Sequence, residues 1–363
     1  MLHKDQYLCV AAVVYNHTNP LVLKPILGFG FKVNMGRFYL IFSAAIFLTS
    51  CNQLTSGATS TPIPSMTSTI AANTTVVPVA TITPTATLRP LVPDFAHIVI
   101  IVFENNEFGS VIGNSAMPNY NRLAGEYTLL TQYYAVTHPS LPNYIALIGG
   151  DTFGIDRNCY DCFINGPNLP DQIEASGRSW KTYQEGMPQT CFVGSTDTYT
   201  QRNNPFIYFD PIRLNKPRCE RSIVPLTELD ADLAAVSLPN YIFITPNLCN
   251  NAHDCGLDVA DAWVGEMVTK LTAALASKAS TEPYLIVLTW EEGETDDTCC
   301  GLGGWAGGRV ATVLISPLVK NGFQDSTPYT HYSLLKTIEE AWGLLYMGHA
   351  ADVTNVIMVA PWR

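Results

Sequence analysis

The sequence predicts an α/β domain in which a central, mostly parallel sheet is flanked by helices. Two observations carry that expectation. Four apolar runs lack the alternation of a half-exposed strand, and a parallel strand covered on both faces reads this way. Three of the runs end directly in residues that can hold a metal, and in open α/β sheets ligands gather outside the carboxyl ends of the strands. One large domain over residues 94–363 is the expected unit, because a chain of 363 residues with 47% hydrophobic content can bury a large core.

The elements follow in chain order. His97-Ile98-Val99-Ile100-Ile101-Val102-Phe103 is a strand-like run that ends in Glu104-Asn105-Asn106. Thr137-His138-Pro139-Ser140-Leu141-Pro142-Asn143-Tyr144 begins a helix that Gly149-Gly150 stops, with Ser140 as N-cap and Pro142 in the first turn. A serine hydroxyl is thereby set among unpaired N–H groups at the positive end of a helix, where a phosphate or an ionised nucleophile is stabilised. Plain capped helices share this pattern, so its weight comes from its neighbours. Tyr241 to Thr245 is the second run and leads into Pro246-Asn247-Leu248-Cys249-Asn250-Asn251-Ala252-His253-Asp254-Cys255. Asp258 to Ser277 reads as an amphipathic helix facing the core, with Trp263 and Met267 as packing residues. Leu285 to Trp290 ends in Glu291-Glu292-Gly293-Glu294, and Arg309 to Ser316 ends at Pro317. His331 opens a helix from Tyr332 to Leu344. Glu104, the loop from Asn247 to Asp254 and Glu291-Glu292 are expected to converge in one acidic pocket. Glu294 with Asp296-Asp297 reads as a solvated loop. Gly301 to Gly308 has no Lys-Ser ending, so it is no phosphate loop and instead lets the backbone pass close to the site.

The first ninety residues have another character. Met35-Gly36-Arg37 precedes the apolar stretch Phe38 to Phe47, the layout of a secretory signal, and Leu48-Thr49-Ser50-Cys51 has the form of a bacterial lipobox. Met35 is therefore expected to be the initiator, residues 1–34 an upstream mis-start, and residues 35–50 a lipoprotein signal. The apolar stretch is short for a membrane span, and a cysteine at its end suits a lipid anchor. Residues 51–93 are rich in Ser, Thr, Pro and Ala and cannot build a core, so they read as an extended tether. The expected location is extracytoplasmic, on a bacterial cell membrane.

Charge and cysteine usage agree with export. The net charge is −11 with no basic stripe, which argues against a nucleic-acid partner. Setting aside Cys9 and Cys51, the cysteines at 159, 162, 191, 219, 249, 255, 299 and 300 form an even set that reads as disulfides, with the pairing open. Cys159 and Cys162 suit a structural disulfide better than zinc, and Cys249 and Cys255 bracket His253-Asp254.

Six motifs in order then resemble one family. They are Val102-Phe103-Glu104-Asn105, the Thr137 to Tyr144 stretch, Thr245-Pro246-Asn247 with His253-Asp254, Thr289 to Gly293, Gly307-Gly308-Arg309-Val310, and Tyr329 to Ser333. The domain looks like the phosphoesterase family of bacterial and fungal acid phosphatases and C-type phospholipases, and most closely like its shorter acid phosphatase branch. That resemblance implies an alkaline-phosphatase-like α/β fold and a small phosphorylated substrate. It implies Ser140 as a nucleophile forming a phosphoserine. It also implies Glu104, Asn105, Ser140, Glu291 and Glu292 as the shell of one divalent metal ion, whose identity oxygen ligands do not fix. His253, Asp254 and His331 join Ser140 as catalytic residues, and His138, Asn143, Asn247 and Asn250 are placed on the substrate side. One departure stands out: the family usually has Asp at the position of Glu291, and the extra methylene moves the carboxylate by about 1.5 Å. Monoester hydrolysis is favoured over a phospholipase C-type diesterase because family phospholipases carry further C-terminal domains. A catalytically silent surface lipoprotein is the alternative from another class.

Overall fold

A computed structural model of the chain describes residues 90–235, 238–304 and 306–363. The chain divides into Met1–Thr81 and Ile82–Arg363, and the described residues all belong to the second unit. The upstream stretch 1–34, the signal-like segment 35–50, Cys51 and all but the end of the 51–93 tether lie outside the described residues. Among the described residues no helix is long and apolar enough to cross a membrane.

The sheet has eight strands: β1 (His97–Phe103), β2 (Thr128–Leu130), β4 (Trp180–Gln184), β5 (Ile223–Pro225), β6 (Tyr241–Thr245), β7 (Tyr284–Trp290), β8 (Thr312–Ile315) and β9 (Phe323–Asp325). A small second sheet pairs β3 (Tyr133–Tyr134) with β10 (Tyr329–Thr330). The main order is β5-β4-β6-β1-β7-β8-β2-β9. Every neighbouring pair is parallel except β7–β8 and β2–β8. The expected α/β architecture is therefore observed, with one correction: the run from Arg309 to Ser316 supplies a four-residue strand that runs against both its neighbours. All seven residues of β1 and of β7 are buried, which explains why neither run alternates.

Helices cover the sheet. Leu257–Ala276 packs with Pro118–Glu126, and Ser140–Gly149 packs with His331–Trp342. The Ser140 helix departs from the expected start. Pro139 holds the N-cap position with extended backbone and no side-chain cap, so Ser140 is the first helical residue. Leu141 N–H is taken by Asn158 Oδ1 at 3.0 Å, and Pro142 has no N–H, so this helix end is less open to an anion than its sequence suggests. At the far end Gly150 takes the left-handed conformation that stops the helix. Thr330 caps the His331 helix by accepting from Ser333 N–H. The eight domain cysteines pair as 159–162, 191–219, 249–255 and 299–300.

Candidate active site

Strand register delivers the acidic groups. Phe103 of β1 pairs with Trp290 of β7, so the residues that follow them, Glu104 and Glu291, emerge side by side from the rim of the sheet. Alternation puts Phe103 and Trp290 on one face, where their rings meet Tyr120 and Trp263. It turns Glu104 and Glu291 to the other face. There Tyr144, one helical turn beyond Ser140, donates its hydroxyl to Glu104 Oε1 at 2.9 Å. Glu104 N–H donates to the Asn251 carbonyl at 3.0 Å, which brings the loop after β6 to the same rim.

Oxygens crowd the centre. Ser140 Oγ donates to Glu292 Oε1 at 3.0 Å, and Asn105 N–H donates to Glu291 Oε2 at 3.0 Å. Asn105 has φ 44°, a left-handed turn that asparagine tolerates better than most residues, and its amide head thereby reaches both carboxylates. That head stands 2.9 Å from Glu291 Oε1 and 2.8 Å from Glu292 Oε1, where only its nitrogen can bond to both. A bound cation would instead turn the amide oxygen inward, so that oxygens from Asn105, Ser140, Glu291 and Glu292 face one another, a donor set that fits a hard divalent ion. Among the described residues no three His, Cys, Asp or Glu side chains form such a group by themselves, so the fit depends on Asn105 and Ser140. Glu104 stands one step out, with Oε2 buried and without a partner. Burial, then the Glu104 and Glu292 charges, push the Glu291 carboxyl well above the usual range, and burial raises Glu104 as well.

The histidines divide into three settings. His138 Nδ1 pairs with Glu292 Oε2, and that hydrogen bond raises the imidazole pKa against the opposing effect of burial. Its Nε2 faces Thr295 O at 3.1 Å. His331 is fully buried and has both nitrogens occupied: Nε2 lies 2.6 Å from Glu291 O and Nδ1 lies 3.0 Å from Tyr133 Oη. A carbonyl can only accept, so Nε2 carries the proton and Nδ1 accepts from the tyrosine. Burial holds this imidazole neutral, with its pKa lowered to about 4. The β3–β10 ladder explains the meeting, because it sets Tyr133 beside Tyr329, two residues before His331. His253 lies across the site with Nδ1 2.6 Å from Asp254 Oδ1 and Nε2 2.8 Å from Arg202 Nη2. Arg202 can only donate, so Nδ1 is the protonated nitrogen there.

The asparagines are used differently from the sequence expectation. Asn143 is fully buried and spends its amide on the backbone, accepting from Val136 and Thr137 N–H and donating to Thr137 O and Pro139 O. Asn250 donates to both oxygens of Glu185, while Asn247 caps its own turn through Cys249 and Asn250 N–H. Both therefore turn away from Glu104. Asn251 is the loop asparagine at the rim: it is buried, its Oδ1 accepts from His253 N–H, and its Nδ2 has no partner among the described residues.

Two contributors escaped the sequence. Glu107 accepts from Glu294 N–H, Thr295 Oγ1 and Arg309 N–H, so it ties the segments on either side of the glycine-rich loop to the end of β1. Within that loop a Cβ on Gly307 would meet Thr137 O at 2.3 Å, the close backbone approach expected of the segment. Arg202, in the short turn Gln201–Asn203, comes from a stretch without periodicity or motif, and nothing in its neighbourhood of sequence marks it.

A model of the Phosphoesterase family matches residues 113–345. A phosphate-repressible acid phosphatase of Penicillium chrysogenum is 34% identical over 280 residues, which are 73% of this chain and 64% of that protein. The chain thus spans less than two thirds of the length of that relative. A phosphatidylinositol-3-phosphatase of Mycobacterium tuberculosis is 32% identical over 269 residues, 73% of this chain and 83% of its own length. A chain solved in work on glycosaminoglycan metabolism by Bacteroides thetaiotaomicron matches 74% of this chain and 83% of itself at 12% identity, with a TM-score of 0.50. A protein of the alkaline phosphatase superfamily from Vibrio parahaemolyticus matches 72% of this chain and 71% of itself at 10% identity, with a TM-score of 0.48.

Proposed function

The chain belongs to the phosphoesterase family, and from that premise we propose that it hydrolyses phosphate monoesters through a phosphoserine formed on Ser140. The observation that carries this reading is the hydrogen bond from Ser140 Oγ to Glu292 Oε1, 3.0 Å long, at the edge of the oxygen cluster. Glu292 takes the hydroxyl proton as the Oγ–P bond forms and the ester O–P bond breaks; water then cleaves the phosphoserine. His138 holds Glu292 in place through Nδ1. His331 holds the Glu291 backbone. Asn105, Ser140, Glu291 and Glu292, with Glu104 beside them, would hold one divalent ion, which when bound neutralises phosphoryl charge and lowers the serine pKa. His253, oriented by Asp254, gives a proton to the leaving oxygen from Nε2; that nitrogen accepts from Arg202 at 2.8 Å and carries no proton there, so the step requires the pair to part and Nε2 to take up a proton from solvent as substrate enters. Asn143 shapes the His138–Ser140 turn, and Asn251 offers its free amide to the substrate in the place expected for Asn247 and Asn250.

Monoesters are favoured over diesters because the two relatives above are both named phosphatases. We place the enzyme at the outer face of a cell membrane, anchored by a lipid on Cys51, on the strength of the Leu48-Thr49-Ser50-Cys51 pattern. The experiment is turnover of a chromogenic phosphate monoester beside its diester analogue, before and after chelation and metal add-back, for the chain and for Ser140→Ala. The expected result is monoester turnover that dies with chelator, returns with one ion, and falls at least ~10³-fold in Ser140→Ala with the fold retained. Diester preference would move the protein to the phospholipase side, and no turnover by a folded, metal-loaded chain would leave a binding lipoprotein. Cys51→Ala is expected to shift the protein from membrane to soluble fractions.

A further inference from the structure

Arg202 stands 3.9 Å from Glu104 Oε2 and 2.8 Å from His253 Nε2. Among the described residues it is the one Lys or Arg within 4.0 Å of any of Glu104, Glu291 and Glu292. The distance to Glu104 is too long for a hydrogen bond, so the guanidinium is not locked onto that carboxylate. An arginine that served only as a counter-ion would close the two-pronged bond that guanidinium and carboxylate favour. Here the Arg202 Nε–H and Glu104 Oε2 are instead both buried without a partner. Of the five donors on the guanidinium, His253 takes one.

The position is fixed from below. Thr245, the last residue of β6, donates Oγ1 to Asn203 O at 3.1 Å, and Gln201 Nε2 donates to Tyr160 O at 2.9 Å. The turn that carries Arg202 is thus pinned to the strand rim, and 18% of the arginine side chain remains in contact with solvent.

We infer that Arg202 receives the non-bridging oxygen that a phosphate monoester has and a diester lacks, and so makes this site select monoester dianions. The inference rests on the phosphatase reading above. Charge supplies the reason. Glu104, Glu291 and Glu292 gather acidic side chains at one rim, and His138 is already paired with Glu292, so a dianion entering there is met by repulsion that a further cation, Arg202, can offset. A diester carries one negative charge less and replaces the third oxygen with an esterified one, which is a far poorer acceptor for a guanidinium.

The test uses the full chain with Arg202→Gln and Arg202→Lys. For Arg202→Gln, kcat/KM on an aryl phosphate monoester is expected to fall about 10²-fold, the loss of a charge-assisted pair of hydrogen bonds. The matched diester should lose at least ~10-fold less than the monoester, because it never makes that contact and any loss through the Arg202–His253 pair falls on both esters alike. Inorganic phosphate, titrated calorimetrically, should bind at least ~10-fold more weakly, and bound metal should be unchanged. Arg202→Lys should recover part of the phosphate affinity, since it restores the charge but not the fork. Equal losses on monoester and diester, or loss of metal from Arg202→Gln, would overturn the inference and leave Arg202 as a counter-ion to Glu104. If the unaltered chain turns over neither ester, the phosphatase reading fails by itself, and the phosphate titration still decides the role of Arg202.

Discussion

At the scale of single residues, buried ionisable groups mark where this fold stores free energy. Glu339 lies on the His331–Trp342 helix, accepts from Met347 N–H at 3.0 Å with one oxygen, and buries the other without a partner. Burial pushes its pKa from 4.5 up to about 8. The folded state therefore holds the proton more tightly than the unfolded chain. Its contribution is full below pH 4.5, falls as pH rises toward about 8 because only the unfolded state ionises in that window, and levels off above it. At about 1.4 kcal/mol per unit, the loss across the window amounts to a few kcal/mol. Glu339→Gln keeps an acceptor for Met347 and removes the charge, so denaturant melts between about pH 5 and 8 should show a flatter decline than the unaltered chain. Identical slopes would mean that Glu339 ionises without penalty. The same scale shows what sequence could not reveal. Glu104 and Glu291 were legible because each follows a buried strand, whereas Arg202 sits in an irregular turn whose position depends on distant partners such as Thr245 and Tyr160. Asn247, Asn250 and Asn251 are indistinguishable in the sequence; the carboxylate of Glu185 draws off Asn250, and the turn that Asn247 caps through Cys249 and Asn250 N–H occupies Asn247.

At the scale of elements, legibility followed burial. β1 and β6 were read to their end residues and β7 to within one, because a strand covered on both faces leaves an unbroken apolar run. β2, β5 and β9 have three residues each, too few for any period to register. The start of the Ser140 helix shifted by one residue because the capping role expected of the serine is left to the Pro139 backbone, while the serine hydroxyl goes to Glu292. The loop after β6 is the element with the most to lose. Cys249 and Cys255 close it, Asp254 N–H returns to Leu248 O at 2.8 Å, and Ala252 holds φ 71° inside it. Removing this bridge with paired Cys249→Ser and Cys255→Ser should cost about 2 kcal/mol of stability by loop closure. It should also lower monoester turnover ~10-fold by releasing the His253–Asp254 pair from its place, as a displaced catalytic group would. The Cys191–Cys219 bridge, which closes a longer loop at the β5 edge, is the control: its removal should cost stability with little change in turnover. Equal turnover in the two double variants would separate the loop from catalysis.

At the scale of the whole molecule, the sheet is an instrument for bringing like charges together. The order β6-β1-β7 sets Glu104 and Glu291 next to one another, each one step beyond a strand anchored by its apolar residues, with Asn251 brought beside Glu104 by the loop after β6. Packing of those strands therefore forces carboxylates into a distance at which they repel, and the fold carries that cost unless a cation is bound. Metal and fold should then be linked: a divalent ion that binds only the folded state raises stability by about 2.7 kcal/mol at a hundredfold excess over its Kd. Chelation is expected to lower the melting temperature and add-back of the ion to restore it, in step with turnover. Glu291→Gln separates the two contributions. It removes one of the repelling charges from a fully buried position, so the metal-free variant should melt higher than the metal-free unaltered chain. It also removes a ligand, so the rise on adding metal should be largely lost. A variant that melts lower without metal, yet gains as much from the ion as the unaltered chain, would show that Glu291 is held by packing alone and that the metal sits elsewhere.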